Sequence, residues 1–462
     1  MRKILTLVLS LMLALGFCVS ITGCKDKINE IVVLSHRTDL KNTLLAQAKT
    51  EFEKKYADKG WKVSFETYTD YEGDVTTRIS GNNYGDVLML PNSVEDKDFS
   101  KKFLSYGTVD ELRAEGWLCI TAKQYQNQVY GLPSGCTVAG ILYNIAVFEA
   151  AGVDASKLNS AEKFLQAMET VQEYGRKNIT DWKGAFYTHT AEGWPCTQWP
   201  SAILTSSGNV NYMNNILPWD TKAFWDSEKD EAGKVGRIYN LMYDLIVNDV
   251  VEQSPVEKNW ESSKIWFSQG KIGAMAMGAW AISQFEDAAR ENNGDPDDVG
   301  YMPYPFVADD GKMYSQVASD YTVAIAKNTK NKEASQAFVD WFLGDFNYAA
   351  KSGYIPPKKG MSYPPKIQAF EKAGVLLVEE EKAVIDGSLS TVEKNAKSSA
   401  TDDTPIVIWG QEWVVDFATT AFDVRDGKST KTIKELLLGV QAEWNNGINE
   451  LKKDHPNPPS LD

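Results

Sequence analysis

Between residues 31 and 90 the chain reads as strand, helix, strand, helix, strand, and that order leaves few folds open. Ile31-Val32-Val33-Leu34 is a compact apolar run rich in β-branched residues, as in a buried strand. From Asp39 to Tyr56, Leu40, Leu44, Ala48 and Phe52 recur every four residues with Leu45 beside them, which makes one face of an amphipathic helix. Trp61 to Phe65 alternates as a second strand, and Asp74 to Ser80 suits a short helix. Asp86-Val87-Leu88-Met89-Leu90 is a third strand, stopped by Pro91. The pattern predicts a parallel sheet with right-handed crossovers. Ligands of such sheets bind at the carboxyl ends of the strands. The loops there hold His36, Arg37 and Asp39, then Asp70 and Tyr71, then Asn92 and Ser93. These are candidate hydrogen-bonding residues. Asp39 equally suits a helix N-cap. Arg37 either clamps a carboxylate ligand or pairs with Asp39 or Asp70.

A chain of 462 residues exceeds one ordinary domain, and 43% hydrophobic content supplies more than one core. A net charge of −15 argues against nucleic acid as a partner. Of the 14 Trp, eight fall between residues 182 and 280, which suggests a second compact unit with aromatic walls. The cysteines form no CxxC or Cys/His cluster, so neither a metal nor a cofactor is expected. Hydrolase and nucleotide-binding motifs are absent, and Asp295-Pro-Asp-Asp298 lacks EF-hand spacing.

The chain opens Met1-Arg2-Lys3 and runs apolar from Ile4 to about Val19, as a secretory signal does. The run ends at Ile21-Thr22-Gly23-Cys24, which resembles the lipobox of bacterial lipoproteins. That resemblance implies a signal peptide over 1–23 and acylation, including palmitate, at Cys24. Residues 24–30 then form a lipid-anchored spacer on the outer face of the cytoplasmic membrane. No later apolar stretch is long enough to span a bilayer.

Several blocks then occur in a telling order. Val129-Tyr130-Gly131-Leu132-Pro133 precedes the stretch Leu142 to Gly152, which begins Leu-Tyr-Asn and ends Ala-Ala-Gly. Phe267 to Trp280 reads Phe-Ser-Gln-Gly-Lys-Ile-Gly-Ala-Met-Ala-Met-Gly-Ala-Trp. Val323 to Leu343, Trp413 to Gly427 and Thr430 to Trp444 follow. Together they resemble the carbohydrate-type extracellular solute-binding lipoproteins of ABC importers, the maltose-binding-protein-like family. The resemblance implies an α/β, two-lobed periplasmic-binding-protein-like fold. Each lobe would be a mainly parallel sheet flanked by helices, and the hinge would be crossed several times. Lobe one would be 31–136 with 313–344, and lobe two 137–312 with 345–462. A sugar would bind between the lobes, without turnover, in a monomer that serves the membrane subunits of an ABC permease. The alternatives are a surface-anchored glycan-degrading enzyme and a non-transport glycan sensor or adhesin.

A sugar ring needs a flat aromatic for its C–H face and polar side chains for its hydroxyl edge. Trp280 stands in the family's position for a stacking aromatic, with a core Trp as the alternative. Trp413 occupies a similar position near the end, with Trp409 as its neighbour. Trp194 and Trp199 lie in the loop Glu192 to Pro200, which is similar to the family's lobe-two aromatic segment. Asp320 and Tyr321 fall near a predicted hinge crossing, where Tyr321 also suits packing. The acidic chain and its many aromatics favour a neutral oligosaccharide.

Overall fold

A computed structural model describes residues 29–397 and 405–461. The signal peptide, Cys24 and most of the spacer lie outside the described residues. Residues 29–105 with Val323–Phe346 make one compact unit, and 106–322 with 347–461 make a second. The chain therefore passes between units three times, after Ser105, Thr322 and Phe346.

The first unit follows the sequence pattern. Strands β1 (Glu30–Ser35), β2 (Lys62–Thr67) and β3 (Val87–Leu90) run parallel, with β1 in the middle. The register pairs Ile31 with Val63 and Val33 with Val87. The returning strand Thr322–Ile325 lies beside β3 in the sheet order. Helix α1 (Leu44–Lys55) buries Leu44, Leu45, Ala48 and Phe52 against the sheet. Phe52 meets Phe338 of the returning helix Lys332–Leu343 at a ring distance of 5.3 Å. Helix α2 (Tyr71–Ser80) starts earlier than expected because Asp70 caps it, accepting a bond from the Gly73 amide at 3.3 Å. By contrast, α1 starts later than expected. Residues 40–43 form a turn instead, in which the Thr43 amide donates to the Leu40 carbonyl.

The second unit departs from the expected mainly parallel sheet. Its long central strand β4 (Cys136–Asn144) is antiparallel to all its neighbours. On one edge lies β6 (Ile272–Gly278), which pairs parallel with β5 (Gly184–Phe186) beyond it. On the other edge, β7 (Val299–Met302) lines the C-terminal part of β4. There β8 (Tyr314–Ser319) lines its N-terminal part and pairs parallel with β9 (Leu376–Val378). The loop 303–313 that joins β7 to β8 holds no crossover helix, so both strands run one way along a single edge of β4.

The two units divide the chain at other residues than the lobes implied by the resemblance. Residues 106–136 group with the second unit, and several of them hydrogen-bond inside it. The Tyr106 amide donates to the Val129 carbonyl, the Leu118 amide to the Pro357 carbonyl and the Cys119 amide to Glu379. Strand β8 also groups with the second unit. Helices α3 (Ala161–Asn178) and α4 (Gly236–Val247) cover this unit's larger core. Helices α6 (Gln411–Arg425) and α7 (Ile433–Asp454) contribute to the same core. Between α4 and α6, in chain order, comes α5 (Trp260–Ser268).

Candidate functional site: an indole cluster in the second unit and polar loops in the first

Strand β6 is buried along its whole length and ends at Gly278. A short turn, Ala279–Ala281, follows, with Trp280 at its centre. Only glycine fits at 278, since a Cβ there would meet Trp280 Cδ1 and Nε1 at 2.6 Å. The Trp280 amide donates to Thr137 Oγ1 at 3.3 Å, which ties the turn to β4. Trp194 opens the short helix Trp194–Ser201, and Trp260 opens α5. These three indoles converge. Their ring centroids lie 4.8 Å apart for Trp194–Trp260, 5.8 Å for Trp194–Trp280 and 6.2 Å for Trp260–Trp280. All three are half-buried, so each ring has aromatic neighbours and some surface left over. A partly open indole of this kind can receive the C–H face of a sugar ring.

The cluster is held from behind. Glu192 Oε1 accepts a bond from the Trp260 amide at 2.9 Å, joining the Trp194 loop to α5. The Lys264 ammonium lies 5.2 Å from the Trp260 ring centre, in cation–π range. The buried His189 ring packs edge-on to Tyr187 at 4.6 Å and lies 5.6 Å from Trp260. The Ser263 hydroxyl donates to the Trp260 carbonyl at 2.7 Å, so His189 Nε2 is the donor in its 2.9 Å bond to Ser263 Oγ. Burial pulls the pKa of His189 down to about 3, and the ring is neutral at ordinary pH. Glu252 is buried beneath this segment and accepts bonds from the Thr188 amide (2.8 Å), the Thr188 hydroxyl (2.6 Å) and the His189 amide (3.1 Å). Its burial raises the carboxyl's pKa even so. A neutral imidazole and a fully bonded carboxyl make this a rigid backing rather than an acid–base pair.

In the first unit, the parallel strands put the ends of β1, β2 and β3 at one edge of the sheet. The loops that follow carry His36, Arg37 and Asp39, then Asp70, then Asn92. Arg37 grips Asp39 through both Nε, which donates to Oδ1 at 2.9 Å and Oδ2 at 3.2 Å, and Nη2, which donates to Oδ2 at 2.7 Å. Burial alone would raise the Asp39 carboxyl, but the Arg37 hydrogen bonds and charge outweigh it and hold the pKa low. Asp39 thus orders the loop and does not cap α1, whose preceding residue is Thr43. His36 lies edge-on to Tyr71 at 5.9 Å. Asp70 serves as the cap of α2, and the Asn92 amide donates to Glu72 Oε1 at 3.1 Å. The Asp70 and Asn92 side chains are exposed.

The remaining candidates separate. Trp413 is 3% exposed and packs T-shaped on Tyr239 at 4.7 Å, with Phe224 and Phe417 around it. Trp199 is 1% exposed between Phe186 at 5.5 Å and Tyr304 at 5.9 Å. Rings so enclosed have no face left for a ligand, and both pack in the core of the second unit. Trp409 is exposed on the turn before α6. Asp320 and Tyr321 are half-buried after β8, where the Asp320 amide donates to the Gly135 carbonyl and the Ser134 amide to the Tyr321 carbonyl. Trp260 is not among the residues expected above. Its only signal in the sequence is membership of the Trp-rich stretch 182–280.

Among the described residues no group of three or more His, Cys, Asp or Glu is placed to hold a metal ion. No described helix is long and apolar enough to cross a membrane.

Comparison with known proteins agrees with this architecture. A binding protein of an ABC transporter from Bifidobacterium animalis subsp. lactis, in complex with mannobiose, superposes with a TM-score of 0.74. It is 27% identical, and the match covers 91% of this chain and 94% of that one. A manno-oligosaccharide-specific solute-binding protein from the same subspecies, in complex with mannotriose, gives 0.73 at 27% identity and the same coverage. A xylose/arabinose-binding protein of Haloferax volcanii is 24% identical over 239 residues, 50% of this chain. That match spans about half of the relative's length, 47%. The family model described as bacterial extracellular solute-binding protein matches residues 36–347. With two α/β units, a parallel sheet opening on polar loops and a match over most of its length, this chain belongs to the bacterial extracellular solute-binding protein family.

Proposed function

We propose that the protein is the extracytoplasmic binding component of an ABC sugar importer, taking up a neutral oligosaccharide without altering it and presenting it to membrane permease subunits. The observation that carries this reading is the convergence of Trp194, Trp260 and Trp280 into a half-open indole cluster. The solute-binding scaffold around it resembles, in fold and sequence, proteins solved with mannobiose and mannotriose. Stacking on these rings binds the sugar face and needs no charge on the ligand. The His189 behind them is neutral, and Arg37 is engaged by Asp39, which favours a neutral sugar over a uronic acid. Short manno-oligosaccharides are the first candidates, and pentose oligosaccharides the second. Calorimetric titration with such a panel, followed by analysis of the recovered sugar, tests the proposal.

Lipid anchoring at Cys24 is part of the same proposal and rests on the lipobox-like Ile21-Thr22-Gly23-Cys24. Two or three acyl chains on one residue hold a protein stably at a membrane, whereas one holds it weakly. Cys24→Ser is expected to move the protein from the membrane fraction to the soluble fraction of a bacterial expression host. A Cys24→Ser variant that stays with the membrane would defeat the anchor.

A further inference from the structure

We propose that Cys119 and Cys136 form a disulfide in the exported protein. Cys119, Cys136 and Cys196 are the described cysteines, all free and all buried in this structure. Two of them share a place. Cys119 and Cys136 lie in one apolar cluster with Val138, Met275 and Ile355. The backbone explains the meeting. One segment, 355–358, pairs with both stretches of chain. Ile355 exchanges two 2.8 Å bonds with Cys136, and the Pro357 carbonyl accepts from the Leu118 amide at 2.9 Å. Glu379 then pins the turn at Cys119, accepting from its amide at 2.9 Å and from the Thr121 hydroxyl at 3.1 Å. Cys119 itself has a φ of 54°, a conformation that few residues other than glycine adopt, so this turn is held by its surroundings. Cys196 stands apart in the other core cluster, with its thiol against the Thr188 carbonyl.

Members of an extracellular family meet an oxidising environment, in which such a pair persists as a disulfide. The step is thiol–disulfide exchange with an oxidised disulfide donor, such as oxidised glutathione. The Cys119 and Cys136 S–H bonds break, the Sγ–Sγ bond forms, and the donor's disulfide takes up two electrons and two protons to become two thiols. In the finished fold, contact with Cys136, burial and the nearby Glu379 charge raise the Cys119 pKa, which keeps the reactive thiolate scarce. Exchange therefore belongs to folding, before the cluster closes, and the finished bond is sealed from reductants. The closed loop contains the small hairpin of Gln124–Tyr125 and Gln128–Val129 and leads directly into β4.

The test uses the full chain, refolded with oxidised glutathione, alkylated under denaturing conditions and digested with trypsin without reduction. Cleavage after Arg113, Lys123 and Lys157 puts the two cysteines on separate peptides. The expected result is peptide 114–123 joined to peptide 124–157, lighter than their sum by two hydrogens, with Cys196 alkylated. Reduction should release both peptides, and the melting temperature of the oxidised protein should exceed that of the reduced protein. Recovery of Cys119 and Cys136 both alkylated would overturn the proposal. So would cross-linking of Cys196 to either one as the main product.

Discussion

Trp280→Ala weakens oligosaccharide binding by about 1–3 kcal/mol, by analogy with base–aromatic stacking, or roughly 5- to 150-fold in Kd. The expectation rests on place as well as residue type. Trp280 is half-buried, at the exit of a wholly buried strand, with Trp194 and Trp260 as its ring neighbours. Truncation removes the flat face while the strand that presents it stays packed. The loss should therefore fall mostly on affinity, read by calorimetric titration, and only modestly on the melting temperature. An unchanged Kd in a folded variant would remove Trp280 from the site.

Trp413→Ala has the opposite profile. The ring is enclosed by Tyr239, Phe224 and Phe417, and its deletion leaves a cavity that three aromatic neighbours cannot easily close. Large-to-small substitution of a buried Trp costs about 3–5 kcal/mol of unfolding free energy. Chemical denaturation should report that loss, with sugar affinity retained in whatever protein remains folded at low temperature. A variant of normal stability that no longer binds sugar would return Trp413 to the ligand and overturn its assignment to the core.

The two tryptophans differ in burial, and only part of that difference is written locally in the sequence. The first sheet was legible because Ile31–Leu34 and Val87–Leu90 are unbroken apolar runs, and because Leu44, Ala48 and Phe52 keep a helical period. Such signals are local. The fate of Trp413 was also locally coded, for Trp413, Phe417 and Ala421 recur every four residues along the buried face of α6. Trp260 had no comparable signal, since its role depends on meeting Trp194 and Trp280, which lie far from it in sequence. The unit boundary after Ser105 lacks a local signal for a similar reason. Gly107–Thr108, Gln124–Tyr125 and Gln128–Val129 are strands of two residues each, too short to carry a period, and long-range bonds to Pro357 and Glu379 decide where they belong. Asp39 and Asp70 sit in equivalent loops after β1 and β2, yet only Asp70 caps a helix. Only the exact start of each helix, together with the grip of Arg37 on Asp39, separated them.

The most direct measurement is calorimetric titration of the mature protein with mannobiose, mannotriose, a pentose oligosaccharide and a uronic-acid oligosaccharide, with chromatography of the sugar afterwards. The account predicts saturable binding of at least one neutral oligosaccharide, weaker or absent binding of the uronic acid, and sugar recovered intact. Preference for the uronic acid, failure of every neutral sugar to bind, or the appearance of cleavage products would contradict it.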